Sequence, residues 1–146
     1  MSKFALPPLP CMCATLRRCA RALTQHYEDA LRPLGLRGPQ FTVLQALEFT
    51  GEVSQGELGQ ILAMDSTTLT RTLEIMARQG WITKRSGRDR RERRLRLAKA
   101  GHLQLNRALP RWQKVQSRLR SQLGDELWDQ LMNLTNQVTS AVTKEE

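Results

Sequence analysis

The sequence predicts one mainly α-helical domain that carries a single small β-hairpin. Apolar residues recur at intervals of three or four along most of the chain, as they do on the buried face of an amphipathic helix. Between residues 82 and 97 the period changes to two, which is typical of a strand pair. A length of 146 residues suits one compact domain, so the sequence predicts a single domain over residues 1–146.

The first predicted helix starts near Cys13 and is ended by Pro33 and Gly35. Its apolar stripe comprises Leu16, Ala20, Leu23, Tyr27, Leu31 and Leu34. A second helix begins at Gly38-Pro39, because proline is favoured in the first turn of a helix. Its expected buried residues are Phe41, Leu44 and Leu47.

Two short helices with N-terminal capping residues follow. Ser54 and Glu57 have the spacing of a capping box, in which each side chain satisfies a free backbone N–H. Asp65 or Ser66 caps the next helix. The expected inward residues of the two helices are Leu58, Ile61 and Leu62, then Leu69, Leu73 and Met76. Two short helices separated by a tight turn form a helix-turn-helix.

A hairpin with a charged tip comes next. The alternation around Leu95 and Leu97 predicts two strands that flank a tip from Arg88 to Arg93, and a hairpin in this position is a wing. Residues 84–99 hold nine basic and two acidic residues, a surplus of seven positive charges within a net charge of +9. So one-sided a block is better explained by phosphate contacts than by a solvated surface.

Two further amphipathic helices close the chain. The first runs through Pro110, which should kink it, and Gly124-Asp125 separates it from the second. Their apolar stripes need a partner, and an identical chain is the simplest one. The sequence therefore predicts a winged helix-turn-helix lobe at 38–99, flanked by N- and C-terminal dimerisation helices at 11–37 and 100–146.

This arrangement predicts binding to double-stranded DNA, because the second helix of a helix-turn-helix enters the major groove. Its outward residues are Ser66, Thr67, Thr70 and Arg71. Arg71 can make a bidentate contact to guanine, whereas the hydroxyls suit phosphates or either base type. Ser54 and Gln55, at the start of the preceding helix, are candidates for contacts to the DNA backbone. The expected contacts of the wing are Arg88, Asp89, Arg90, Arg91 and Arg93.

These segments resemble the MarR family of regulators over nearly the whole chain from Cys11 onward. The likeness rests on Met64 to Arg71, on Gln79 to Ile82, and on the wing motif Asp-x-Arg at Asp89-Arg90-Arg91. It implies that Arg91 enters the minor groove and that Asp89 braces it, which suits the negative potential of a narrow minor groove. It also implies a pocket between the dimerisation helices and the DNA-binding lobe, in which aromatic carboxylates are typical small-molecule effectors. The two-fold symmetry of the expected homodimer requires a near-palindromic operator. Ala98 replaces the family's usual threonine, so capping of the long helix is affected there.

Within the family, the sequence is most similar to the branch that senses organic hydroperoxides. Aligning Thr24 to Tyr27 with that branch's Thr-x-x-Tyr segment puts Cys13 in the reactive position and Tyr27 in place of a tyrosine that hydrogen-bonds it. Arg17 and Gly38 replace two further tyrosines, and Arg17, one turn from Cys13, is placed to stabilise a thiolate by charge. Cys13 on the buried stripe is thus a candidate for an oxidant sensor; the alternative is a small packing residue.

Other function classes find less support in the sequence. The chain has no phosphate-cradling glycine loop, nucleophile motif or paired carboxylates in an apolar context, so we expect neither an enzyme nor a cofactor. A sequence-independent, architectural nucleic-acid binder is the main alternative, and the role of Arg71 separates it from a regulator. The odd number of cysteines and their spacing argue against disulfides and a metal site. Met1 to Pro10 lacks a signal-peptide core, and no run approaches the ~20 apolar residues of a membrane span, so a cytoplasmic location is expected.

Overall fold

The elements of secondary structure appear in the predicted order, and the predicted fold class is confirmed. The computed structural model describes residues 6–143. In chain order the elements are α1 (Met12–Leu31), a one-turn 3-10 helix (Arg32–Leu34), α2 (Gly38–Thr50), β1 (Glu52–Ser54), α3 (Gln55–Leu62), α4 (Ser66–Arg78), β2 (Ile82–Ser86), β3 (Arg93–Leu97), α5 (Lys99–Leu123) and α6 (Asp125–Val142). Residues 1–5 and 144–146, which the predicted domain includes, lie outside the described residues.

The core lies between α2, α4, the sheet and the first half of α5. The largest fully buried side chains are Leu31, Leu36, Val43, Leu44, Leu47, Leu58, Leu69, Leu73, Met76 and Leu95. The predicted inward faces of α2 and α4 are therefore confirmed. The prediction for Ile61 is wrong, because 55% of this side chain is exposed. Leu58 and Leu62 lie over each other four residues apart, whereas Ile61 is rotated by about 100° from Leu62.

Both N-caps of the helix-turn-helix form as predicted. Ser54 Oγ accepts a hydrogen bond from the Glu57 N–H at 3.1 Å, and Glu57 Oε2 accepts one from the Ser54 N–H at 3.3 Å. Asp65 Oδ2 accepts a hydrogen bond from the Thr68 N–H at 3.0 Å. Hydrogen bonding to Thr68 holds the pKa of Asp65 below its usual value. Because both caps depend on neighbouring residues only, they fix where α3 and α4 begin.

The wing has one strand more than predicted. β2 and β3 form the expected antiparallel hairpin, with Ile82 opposite Leu97. The other edge of β3 pairs with β1, where Val53 lies opposite Leu95, so the sheet has the order β1-β3-β2. β1 has only three residues, of which Val53 alone is buried. A strand this short carries no detectable alternation of its own.

The last two helices differ in their packing, since α5 contacts α1, α2 and β3, whereas α6 contacts α5. α5 is continuous through Pro110, and its N-cap residue Ala98 makes no side-chain capping hydrogen bond, as expected. Gly101 lies so close to the Trp81 backbone that a Cβ would be 2.0 Å from the Trp81 oxygen. In the single chain several apolar side chains of the terminal helices are exposed: Met12, Leu16, Leu127, Met132, Leu134, Val138 and Val142.

Within residues 6–143, no helix combines the length and apolarity needed to cross a bilayer. No group of three or more His, Cys, Asp or Glu residues in that range is arranged to hold a metal ion.

Candidate nucleic-acid interface

The first two turns of α4 bring together the four predicted major-groove residues. With Glu74, these residues line a shallow depression of about 350 Å³: Ser66, Thr67, Thr70 and Arg71. All four are exposed, whereas Leu69, Leu73 and Met76 on the opposite side are buried in the core. The helix is thus held by its apolar face and presents donors and acceptors on its polar face.

A side-chain contact joins α3 to this polar face. Gln55 Nε2 donates a hydrogen bond to Thr70 Oγ1 at 3.1 Å. Ser54, the preceding residue, uses its backbone N–H and its side-chain oxygen in the capping box, so its hydroxyl proton is the group left for a further acceptor. The structure therefore places Gln55 beside the recognition face, with Ser54 directly before it as the N-cap of α3.

The tip of the wing presents exposed arginines that are held by local hydrogen bonds. The exposed cations between β2 and β3 and at the start of β3 are Arg88, Arg90, Arg91 and Arg93. Asp89 Oδ1 accepts a hydrogen bond from the Arg91 N–H at 3.0 Å, and the Asp89 carbonyl accepts one from the Glu92 N–H at 2.9 Å. Asp89 thus holds the backbone of the tip and leaves the Arg91 guanidinium exposed.

Two arginines of the basic block have a different role. Arg85 Nη2 donates to Glu52 Oε2 at 3.0 Å, and Arg94 Nε lies 3.7 Å from Glu52 Oε1. The hydrogen bond from Arg85 lowers the pKa of Glu52 below its usual value, and it raises the pKa of Arg85. Arg94 also contacts Glu92 at 2.9 Å. These two cations tie β1 to the hairpin and are less available to a partner than the exposed arginines of the tip.

Comparison with known proteins identifies the family to which this chain belongs. A model of the MarR family matches residues 34–92. The organic hydroperoxide resistance transcriptional regulator of Bacillus subtilis (strain 168) is 33% identical over 99 residues, which is 67% of this chain and 67% of that protein. The crystal structure of the M. tuberculosis transcriptional regulator MosR, in complex with DNA, has 34% sequence identity and a TM-score of 0.78, covering 90% of this chain and 98% of that one. The chain belongs to the MarR family.

A second curated relative matches over a shorter stretch. An uncharacterized HTH-type transcriptional regulator of Bacillus subtilis (strain 168) is 32% identical over 84 residues, or 58% of this MarR-family chain. The match spans 61% of that relative's own length, less than two thirds.

The redox candidates of this MarR-family chain lie at two separate places along α1. Cys13 is exposed in the single chain, and its predicted burial on a dimer helix stays a prediction. The stripe is covered only towards the C-terminal end of α1, where Tyr27 is half-buried and Leu31 is buried. Arg17 is exposed, one turn from Cys13. Cys13 and Tyr27 are separated by about 21 Å along one helix, too far for a hydrogen bond within a chain.

Tyr27 has a partner that the sequence did not suggest. Its O–H donates a hydrogen bond to Gln116 Oε1 of α5, and burial raises the pKa of Tyr27. The sequence feature that could have indicated this hydrogen bond is Gln116 itself, a polar residue on the apolar stripe of α5. Glu52 was missed as well, because its two arginine partners are more than thirty residues away in sequence.

A cavity of about 560 Å³ lies between the helix-turn-helix lobe and the terminal helices. Its lining residues are Thr24, Tyr27, Leu31, Gly38, Pro39, Phe41, Thr42, Gln45, Leu62, Met64, Trp112, Gln116 and Met132. The rings of Phe41 and Trp112 are tilted, with centroids 6.1 Å apart. Because Leu62 and Met64 directly precede the Asp65 cap, this cavity borders the turn that positions α4.

Proposed function

We propose that this chain is a sequence-specific, double-stranded DNA-binding transcriptional regulator, acting as a repressor that an oxidant or a small-molecule effector releases. The observation that carries the proposal is the exposed polar face of α4, with Arg71 at its centre and the wing arginines on a second element. A recognition helix in the major groove and an arginine in the minor groove read different features of the same duplex. The MosR regulator, solved with DNA, supports this assignment by its similarity over most of the chain.

The active form is a homodimer in this proposal. The terminal helices expose Leu16, Leu134 and Val138, and burying such side chains gains roughly 25 cal/mol per Å² of apolar surface. A two-fold dimer presents two copies of α4, so its operator is near-palindromic with half-sites about 10 bp apart, one helical turn. Sedimentation that finds only a monomer at micromolar concentration would contradict the dimer.

The proposed oxidant sensor is Cys13, with Tyr27 and Arg17 as its supporting residues. The separation along α1 means that Tyr27 can reach only the Cys13 of another chain, which makes the sensor a property of the dimer. Oxidation of Cys13 would change the packing of α1 against its partner and shift the spacing of the two α4 helices. The similarity to a regulator named for organic hydroperoxide resistance supports this signal.

The cavity between the lobes supports a small aromatic effector as the second candidate signal. Three aromatic side chains line it, Tyr27, Phe41 and Trp112, together with uncharged polar groups such as Gln45. Lysine and arginine are absent from this described lining, so a neutral aromatic molecule fits it better than an aromatic carboxylate. Such a molecule would contact Met64 and so affect the position of the N-terminal end of α4.

The test is binding to the promoter DNA of the chain's own gene, with and without an organic hydroperoxide. A regulator binds one site in that DNA at least 10³-fold more tightly than a scrambled duplex, and loses this binding on oxidation. Equal affinity for both duplexes would instead identify a sequence-independent architectural protein. If the protein stays bound to its DNA site in peroxide, an effector in the cavity would be the signal that releases the DNA.

A further inference from the structure

A concave basic surface lies between α1 and α5, outside the DNA-binding residues described above. It encloses a cavity of about 490 Å³. The cavity is lined by His26, Asp29, Ala30, Pro110, Arg111, Lys114, Val115 and Arg118. We call this surface the α1–α5 groove. None of the residues that line this groove also lines the cavity between the helix-turn-helix lobe and the terminal helices.

Three cations of the groove follow one face of α5. Arg111, Lys114 and Arg118 are spaced by three and four residues, so they lie side by side over about 10 Å of helix. All three are exposed. Like charges at this spacing destabilise a helix when nothing neutralises them. The groove therefore contains three positive charges that repel one another and that do not stabilise α5.

The described part of the chain offers these cations little compensation. The ion pairs found within residues 6–143 involve other basic residues, which are Arg32, Arg37, Arg85, Arg94, His102 and Arg120. Arg111 Nη1 reaches only the Ala30 carbonyl, at 3.5 Å. The one acid in the lining, Asp29, is 3.6 Å from Arg32 outside the groove. The groove thus has a surplus of positive charge.

We propose that the α1–α5 groove binds a small polyanion that carries at least two phosphate groups, such as the diphosphate of a nucleotide. Arginine guanidinium groups match phosphate oxygens in a bidentate geometry, and the lysine adds a compact charge between them. The volume of about 490 Å³ suits a small molecule. The groove is built from α1 and α5, while α4 packs against α2, α3 and β2. Bound phosphate groups would relieve the repulsion between the three cations of α5.

The test uses the full chain and inorganic pyrophosphate as the probe, at constant ionic strength. Titration calorimetry and thermal unfolding should show sub-millimolar binding and a raised Tm, with orthophosphate at least tenfold weaker. The double variant Arg111→Gln/Lys114→Gln should weaken pyrophosphate binding at least tenfold. Arg107→Gln removes an exposed cation of the same helix that does not line the groove, and should leave binding unchanged.

Three results would overturn the proposal. No binding at millimolar pyrophosphate would mean that the groove has no anion site. An equal loss in Arg107→Gln would mean that the cluster attracts anions only through the general charge of the helix. Competition by duplex DNA that the groove variant abolishes would assign the groove to a DNA surface instead. Circular dichroism establishes that the double variant is folded, and Arg118→Gln replaces it if it is not. The proposal stands independently of DNA regulation, because the titrations with pyrophosphate alone contain no DNA.

Discussion

The side-chain amide of Gln55 donates a hydrogen bond to Thr70 Oγ1 at 3.1 Å, and so joins α3 to the polar face of α4. Both side chains are expected to face DNA, Gln55 at the backbone and Thr70 in the major groove. The hydrogen bond occupies the Thr70 oxygen as an acceptor and leaves its hydroxyl proton free to donate. The two residues therefore act as one unit on a single surface.

We expect Gln55 and Thr70 to be coupled in DNA affinity. A double-mutant cycle with Gln55→Ala and Thr70→Val should give a coupling energy of about 0.5–1 kcal/mol, since one hydrogen bond is lost in either single variant. Gln60→Ala, which changes an exposed glutamine of the same helix, is the matched control and should be additive with Thr70→Val. Strict additivity of the Gln55 and Thr70 variants would show that the contact has no role in binding.

A salt titration of DNA affinity should distinguish the arginines of the wing tip from Arg85, which is bonded to Glu52. Arg90→Ala and Arg93→Ala should each make the slope of log affinity against log salt shallower by about one unit, because each loses a phosphate contact. Arg91→Ala should weaken binding with little change in major-groove preference. Arg85→Ala is the control from the same block: its guanidinium bonds Glu52, so it should lower stability and leave the slope nearly unchanged. Equal slopes for all variants would refute the assignment to the tip.

The helix-turn-helix could be predicted from the sequence because its signals are local. The Ser54 and Asp65 caps depend on residues three positions away, and the inward face of α4 follows from a period that Leu69, Leu73 and Met76 display directly. The predicted positions of Ser66, Thr67, Thr70 and Arg71 on an exposed face follow from the same period.

The parts that could not be predicted depend on contacts distant in sequence. β1 exists because Val53 pairs with Leu95, and the neutralisation of Arg85 requires Glu52 from that same strand. Cys13 lies on the apolar stripe of α1, which α5 covers only further along, so its predicted burial depends on a partner chain. Whether a stripe is buried depends on what packs against it, and periodicity alone does not contain that information.

The Asp65 cap should make α4 sensitive to acid. Because hydrogen bonding to Thr68 lowers the pKa of Asp65 in the folded chain, its ionised form stabilises the fold. This contribution is complete above the pKa in the unfolded chain, ~3.9, and is lost as the pH falls through the lower folded-state pKa. Asp65→Asn keeps a capping oxygen that does not titrate. Urea unfolding between neutral and acid pH should therefore show a larger loss of stability for the natural chain, and parallel pH profiles would contradict the cap's ionic role.

Cys13 should be the thiol that links oxidation to DNA release. Titration with an organic hydroperoxide should dissociate the natural chain from its DNA site and leave Cys13→Ser bound. Cys11→Ser and Cys19→Ser serve as matched controls, since both thiols are exposed on or beside the same helix and should keep the natural sensitivity. Equal sensitivity of all four proteins, or none in any, would make Cys13 a residue without a sensing role and favour the effector cavity.

In the proposed function, α4 reads a DNA sequence through Arg71. The direct measurement is the affinity of the natural chain, Arg71→Ala and Arg71→Lys for the duplex selected from a random library and for its scrambled version, at one salt concentration. We expect Arg71→Ala to lose roughly 1–3 kcal/mol of discrimination at a single base pair, with Arg71→Lys keeping the charge but not the bidentate contact. Natural protein that binds both duplexes equally, or an Arg71→Ala variant with unaltered base preference, would contradict sequence-specific recognition by this helix.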